Sequence, residues 1–199
     1  MAEVFIRRLS RWQAEQQREA VADVYVEAYR RIYGEEFRDR AAFLETFAED
    51  VRRPGFDMVV GGAAGGSAAA YGYGFLLDRD GEWWRGLRQD VPWDAEELTV
   101  AGRVFVIAEL MVLPAFRRGA VATRLVERLL ARANAALVTV RVDPANEPAV
   151  AVLRSWGWTR LGELSVPVAG LPGVAAGTGS GVGVAPGAAS DIWSRVLTS

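Results

Sequence analysis

The chain of 199 residues contains no cysteine, no histidine and no lysine. Without cysteine there is no disulfide, no thiol nucleophile and no cysteine-bearing zinc or iron–sulfur site. Without histidine there is no Ser-His-Asp triad, no imidazole base and no catalytic zinc site of the usual kind, so no metal centre is expected. Without lysine there is no Schiff base and no Walker-type phosphate loop. All 23 basic residues are arginine, against 25 acidic ones, for a net charge of −2. That slight acidity argues against a nucleic-acid partner, because neutralising phosphates takes a basic face. A chain rich in Arg, Ala, Gly and Val and free of Lys also has the composition of a G- and C-rich coding sequence.

Long apolar spans are scarce too. The N-terminal stretch M-A-E-V-F-I-R-R-L-S-R-W has no apolar run ahead of a cleavage site, and a cytoplasmic protein is expected. The longest uncharged run, Leu164 to Ser190, is interrupted by seven glycines and three prolines, among them Gly170, Gly177 and Pro186. It predicts a loop of low complexity and not a membrane helix. Its G-T-G-S-G-V-G piece opens no helix and is not a dinucleotide fingerprint.

What is present is a core-forming pattern, with 51% hydrophobic residues. Val4 to Leu9 predicts a strand. Val21, Val24, Tyr25, Ala28, Tyr29 and Ile32 recur at helical spacing and predict one helix over about 13–33. A second helix is predicted from Asp39 to Arg53, with Phe43, Phe47 and Val51 on one side, ended by Pro54-Gly55. Strands follow at 56–60 and 68–77, around a Gly-rich turn. A polar connection of 78–103 holds Trp83, Trp84 and Trp93 among charges. The segment V-F-V-I-A-E-L-M-V-L, Val104 to Leu113, is an almost unbroken apolar strand, expected to be central and buried on both faces. A helix from about Val121 to Ala133, a strand from 136 to 142, a short helix capped by Asn146, and strands at 158–166 and 191–197 complete a single α/β domain over 1–199. In it 78–103 is an insertion between strands and 165–190 a Gly-rich loop. The late β-α-β-α-β order implies some parallel pairing.

The chemistry concentrates between Glu109 and Ala133. A buried strand runs into a tight turn, Arg117-Arg118-Gly119-Ala120-Val121-Ala122, that opens a helix. Backbone N–H groups at a helix N-terminus attract phosphate, and small side chains allow its approach. Two adjacent arginines add charge-assisted donors. An ordinary strand-turn-helix with solvent-facing arginines fits the same residues equally well.

The stretch resembles the acetyl-CoA-binding motif of the GNAT superfamily of N-acetyltransferases, E-L-x-V-x-P-x-[YF]-[RQ]-x-x-G-x-[GA]. The matching residues are Glu109, Leu110, Val112, Pro114, Phe116, Arg117 and Ala122. Further on, Asn146, Ala149, Gly157 and Trp158 resemble the second motif, N-x-x-A-x-x-L-Y-x-x-x-G-F. The resemblance implies a GNAT fold: a mixed, mostly antiparallel twisted sheet of about six to seven strands flanked by about four helices, with a splayed strand pair holding CoA. It also implies acetyl-CoA as co-substrate. Backbone groups at Met111 and Val112 would meet the pantetheine amides. The turn Arg117, Arg118, Gly119, Ala120, Val121 and Ala122 would hold the pyrophosphate, and Asn146 would contact the pantetheine arm or cap its helix. The first turn glycine of the motif is Ala120 here, whose Cβ calls for an altered turn or a negative φ. The position where the family often carries a tyrosine acid is Leu153.

The resemblance implies acetyl transfer to a primary amine of a small molecule by direct attack. Glu109, or a water relay, would be the base. A carboxylate in an otherwise apolar strand is expected to hold its proton to higher pH, as suits a base near neutrality. Tyr29, Tyr33, Trp83 and Trp84, with Glu35 and Glu36, are the residues expected to receive a cationic acceptor, although Tyr25 and Tyr29 also suit a core. A protein or peptide acceptor, and a non-catalytic acyl-CoA-binding module, are the competing expectations. Leu153 and Ala120 motivate the latter. Many members of the family are dimers, so a homodimer is the assembly it suggests.

Overall fold

A computed structural model describes residues 4–33, 40–63, 67–89, 91–117, 119–164 and 190–197. Among these residues there are seven strands and six α-helices. The strands are β1 (Val4–Leu9), β2 (Asp57–Ala63), β3 (Ala68–Leu76), β4 (Val104–Val112), β5 (Leu137–Val142), β6 (Thr159–Leu164) and β7 (Ser190–Val196). The helices are α1 (Arg11–Gln16), α2 (Arg18–Tyr33), α3 (Arg40–Asp50), α4 (Trp93–Val100), α5 (Val121–Leu130) and α6 (Glu147–Ser155). The strands form one mixed sheet in the order β1-β2-β3-β4-β5-β7-β6. The expected mixed sheet is present, with two more helices than expected. No described helix is long and apolar enough to cross a membrane. The Gly-rich loop expected at 165–190 lies, up to residue 189, outside the described residues. Two compact units make up the chain: Met1–Phe75 with Glu109–Ala133, and Leu76–Ala108 with Asn134–Ser199.

In the first unit β1 runs antiparallel to β2, from Val4↔Ala63 to Leu9↔Met58, and β2 antiparallel to β3. The helix expected over 13–33 is broken at Gln17. A capping box starts α1: the Ser10 hydroxyl accepts from the Gln13 N–H, and the Gln13 side chain accepts from the Ser10 N–H. The aromatic face of α2 meets α3, where Tyr25 stacks on Phe43 at 4.2 Å between ring centroids. Helix α5 buries Val121, Leu125, Val126 and Leu129, as its sequence stripe predicts. Two glycines let α5 approach the sheet. A Cβ at Gly61 would lie 2.9 Å from Val4 Cγ1 and 3.8 Å from Val121 Cγ1. One at Gly72 would lie 3.3 Å from Leu110 Cδ1 and 3.8 Å from Leu125 Cβ. Strand residues alternate between faces, so Tyr71 and Tyr73 point away from α5.

In the second unit β4 pairs parallel with β5 over Val104↔Leu137 to Ile107↔Val140. Strand β7 lies antiparallel between β5 and β6. The connection expected to be polar is instead partly folded. It makes a 3₁₀ turn at Glu82–Trp84, a bridge from Leu87 to Leu164 of β6, and α4. Trp83 and Trp84 are buried in it. The Trp84 indole N–H donates to the Thr99 hydroxyl at 2.9 Å, and that hydroxyl donates to the Ala95 carbonyl. Arg141 of β5 lies over the Trp83 ring at 3.9 Å and donates to the Trp83 carbonyl at 2.8 Å. Burial pushes the Arg141 guanidinium down to about 10, which leaves it a cation at neutral pH.

Candidate active site

Strand β4 is buried along most of its length, and Glu109 is its one carboxylate. Only 4% of Glu109 is exposed. An ionised carboxylate at that depth needs donors. Tyr29 supplies one: its hydroxyl donates to Glu109 Oε2 at 2.8 Å. Tyr29 is itself 3% exposed and is held by the edge of the Tyr25 ring, with centroids 5.0 Å apart. Tyr29, expected to receive the acceptor, is thus a buried partner of the expected base.

The neighbouring strand brings a second tyrosine to Glu109. The Leu113 N–H donates to the Ala69 carbonyl at 2.9 Å, and the side chain of Leu110 lies where a Cβ on Gly72 would point. The two contacts fix an antiparallel register in which Tyr73 faces Glu109. Tyr73 is buried, and its phenol is pushed well above its ordinary range, first by burial and then by the charges of Asp50 and Glu109. Its hydroxyl donates to Asp50 Oδ2 at 3.4 Å. Asp50, the last residue of α3, is 1% exposed. Burial pushes its carboxyl up to about 7, against the opposing pull of Arg53 and the Tyr73 hydroxyl. Sequence reasoning missed both Asp50 and Tyr73. The only signal in the sequence is an acidic residue on the helix flank that also carries Phe43 and Phe47.

Beyond Glu109 the strand carries Met111, buried, and Val112, half-buried. A 3₁₀ turn at Pro114–Phe116 leads to Arg117. The Arg117 side chain does not simply face solvent. Its Nε donates to the Val112 carbonyl at 3.0 Å and its Nη2 to the carbonyl of Ala28 on α2. It ties the turn to the end of the strand and to α2. Arg118 lies outside the described residues. Gly119 and Ala120 are exposed. Ala120 is the N-cap of α5 and supplies no side-chain cap. Its φ is +54°, the one non-glycine residue with positive φ among those described, so the turn keeps the glycine conformation without the glycine. The first bond of α5 runs from the Arg124 N–H to the Ala120 carbonyl, and the N–H groups of Val121 and Ala122 precede it.

The other expected site residues divide. Asn146, buried, caps α6 by accepting from the Ala149 N–H at 3.3 Å. Leu153 is buried on the same helix. Trp83 and Trp84, expected among charges at an acceptor pocket, are core residues of the second unit. Large aromatic surfaces gain more from burial than the flanking charges cost at the rim. The side chain of Tyr33, and Glu35 and Glu36 entirely, lie outside the described residues. No group of residues suited to a metal ion occurs among those described.

Comparison with known proteins adds to this geometry. The sequence profile of the acetyltransferase (GNAT) family matches residues 18–158. Among curated proteins none matches significantly. Solved structures share the fold at low identity. Ard1 from Thermoplasma volcanium is 16% identical, with 98% of this chain and 99% of that one covered and a TM-score of 0.60. The ribosomal-protein-alanine N-acetyltransferase from Brucella melitensis is 17% identical over 97% and 99%, at 0.57. YncA from Salmonella typhimurium, solved with its cofactor acetyl-CoA, is 14% identical over 99% and 95%, at 0.57.

Proposed function

The chain belongs to the acetyltransferase (GNAT) family, and from that premise we propose that it acetylates the primary amine of a small molecule, with Glu109 as the base. It is an acyltransferase, and acetyl-CoA is the co-substrate of the family. The observation that carries the proposal is Glu109 itself: a buried carboxylate held by the Tyr29 hydroxyl at 2.8 Å, on the strand that leads into the turn before α5.

The residues present suit a CoA diphosphate. The turn is exposed and small at Gly119 and Ala120, and no side chain caps α5. Helix N–H donors and the helix dipole favour an anion there. The backbone of Arg117 to Ala122 would hold the diphosphate, with Arg117 keeping the turn in shape from behind. Met111 and Val112 would run beside the pantetheine. When bound, acetyl-CoA supplies an activated thioester, so neither a nucleophilic side chain nor a metal is required of the protein.

The remaining work falls to the chain's own residues. An amine is unreactive while protonated. Glu109 takes one proton from the ammonium, directly or through a water, and the freed nitrogen lone pair forms the C–N bond as the C–S bond breaks. Tyr29 holds the carboxylate in place. The departing sulfur needs a proton, and Leu153, where the family often has a tyrosine, has none to give. The second proton that the nitrogen sheds as the amide forms supplies it, directly or through a water. The burial of Glu109, Tyr29 and Tyr73 favours an acceptor that reaches the base with a slender amine. The experiment is CoA release measured over a panel of small amines and N-terminal peptides. Small amines should drive turnover saturably. Turnover with peptides alone would move the acceptor to proteins, and tight acetyl-CoA binding with no turnover on any amine would contradict catalysis.

A further inference from the structure

Asp50 has no role in the chemistry above, yet it is among the most deeply buried charged groups described. It ends α3, where an aspartate would ordinarily face water. Instead it is buried and bonded to Tyr73, whose ring packs with Phe47 at 5.1 Å and with Phe56 at 5.9 Å between centroids. The groups that face it are few. Arg53, in the turn after α3, donates from Nε to Oδ1 at 3.3 Å, and its guanidinium also lies 4.7 Å from the Phe75 ring centroid. Glu49 acts on it from its own helix, and Tyr73 from β3 donates to Oδ2. Tyr73 in turn faces Glu109 of β4, with Tyr25 of α2 close by.

One phenol therefore stands between two buried carboxylates. Its hydroxyl is bonded to one of them, and the other faces it across the strand pair. Water that would screen such a pair in an exposed site is largely excluded here, and the charges of both carboxylates act on the Tyr73 phenol between them.

We propose that Asp50 is a positioning residue for the base: across Tyr73, its negative charge raises the proton affinity of Glu109 and so makes it a stronger proton acceptor. Asp50 touches neither substrate. Its ionised form makes a second negative charge nearby less favourable, and Glu109 relieves this by taking the ammonium proton. Burial pushes the carboxyl of Asp50 up to about 7, so the influence switches on around neutral pH. Below that range a neutral Asp50 leaves Glu109 a weaker base.

The proposal rests on Glu109 being the base, and two measurements separate the two claims. The first uses no activity: a carbon-13 carboxyl titration of the folded protein and of Glu109→Gln. Coupling is reciprocal, so removing the Glu109 charge should lower the Asp50 midpoint by roughly 1 pH unit, the size expected for a unit charge one side chain away in a partly polarisable interior. An unchanged midpoint overturns the proposal. The second is the pH profile of kcat/KM for the amine in Asp50→Asn. Its acid limb should move to lower pH by a similar amount, with KM for acetyl-CoA unchanged. A limb that stays in place overturns the proposal, and a purely structural role would change thermal stability without moving it. Should Asp50→Asn fail to fold, the titration still decides. If instead Glu109→Gln keeps the parent pH profile, the base assignment fails, while the titration still reports whether the carboxylates are coupled.

Discussion

The Tyr29 hydroxyl donates to Glu109 Oε2 at 2.8 Å, joining a helix and a central strand that lie 80 residues apart in sequence. The bond does two things. It satisfies a carboxylate that burial would otherwise leave exposed to its own desolvation, and it fixes where the carboxylate points.

Tyr29→Phe should therefore act on proton transfer more than on binding. Loss of one buried hydrogen bond costs about 1–3 kcal/mol. Because the lost donor favoured the ionised form, the acid limb of the pH–rate profile should move to higher pH. The rate at neutral pH should fall roughly tenfold, with acetyl-CoA affinity unchanged. An unmoved acid limb would show that the bond does not bear on the base.

Ala120 holds a left-handed backbone, with φ +54°. The Cβ makes that conformation unfavourable by about 1–2 kcal/mol. Ala120→Gly should raise the thermal midpoint by several degrees and leave KM for acetyl-CoA unchanged, since the turn keeps its shape. Ala120→Val, β-branched in the same conformation, should lower both stability and cofactor affinity. Thermal unfolding and acetyl-CoA titration of the two variants check this.

Arg117 is bonded to the carbonyls of Val112 and Ala28. Arg117→Ala should loosen the turn and raise KM for acetyl-CoA about tenfold, with a smaller effect on kcat, because the base is untouched. Arg117→Lys should recover only part of the loss, since one ammonium cannot reproduce the two-sided fork. Steady-state kinetics with a saturating amine distinguish the outcomes.

Asp50 binds its proton more tightly folded than unfolded, with a folded value of about 7 against an ordinary 3.8, chiefly through burial. Its contribution to stability is full below the unfolded value and is lost as pH rises through the folded one. The difference in thermal midpoint between Asp50→Asn and the parent should therefore grow in favour of the variant from pH 4 to pH 8. Paired melting curves across that range measure it, and a constant difference would contradict the shift.

Much of this arrangement is legible in the sequence. The unbroken apolar run around Glu109 predicts a buried central strand, and its burial follows. The stripe Val121, Leu125, Val126, Leu129 predicts the face that α5 buries. What the sequence leaves unread shares a cause. Trp83 and Trp84 lie among charges in sequence, and it is tertiary contacts with Thr99 of α4 and Arg141 of β5 that accompany their burial. Helix α4, W-D-A-E-E-L-T-V, spreads its acidic residues so that no clear apolar stripe marks it. Asp50 and Tyr73 are 23 residues apart on different elements, and Tyr73 meets Glu109 only through the register of β3 and β4. Local periodicity carries no such information, because cross-strand neighbours are set by tertiary pairing.

The central claim is that Glu109 removes the proton that keeps the acceptor amine unreactive. The measurement that bears on it most directly is the pH dependence of kcat/KM for the amine in Glu109→Gln, with acetyl-CoA affinity determined alongside. The account predicts a rate lowered by roughly 10²-fold or more at neutral pH. It also predicts recovery at high pH, where the amine arrives already deprotonated, and unchanged acetyl-CoA affinity. A variant whose pH–rate profile matches the parent would remove Glu109 as the base.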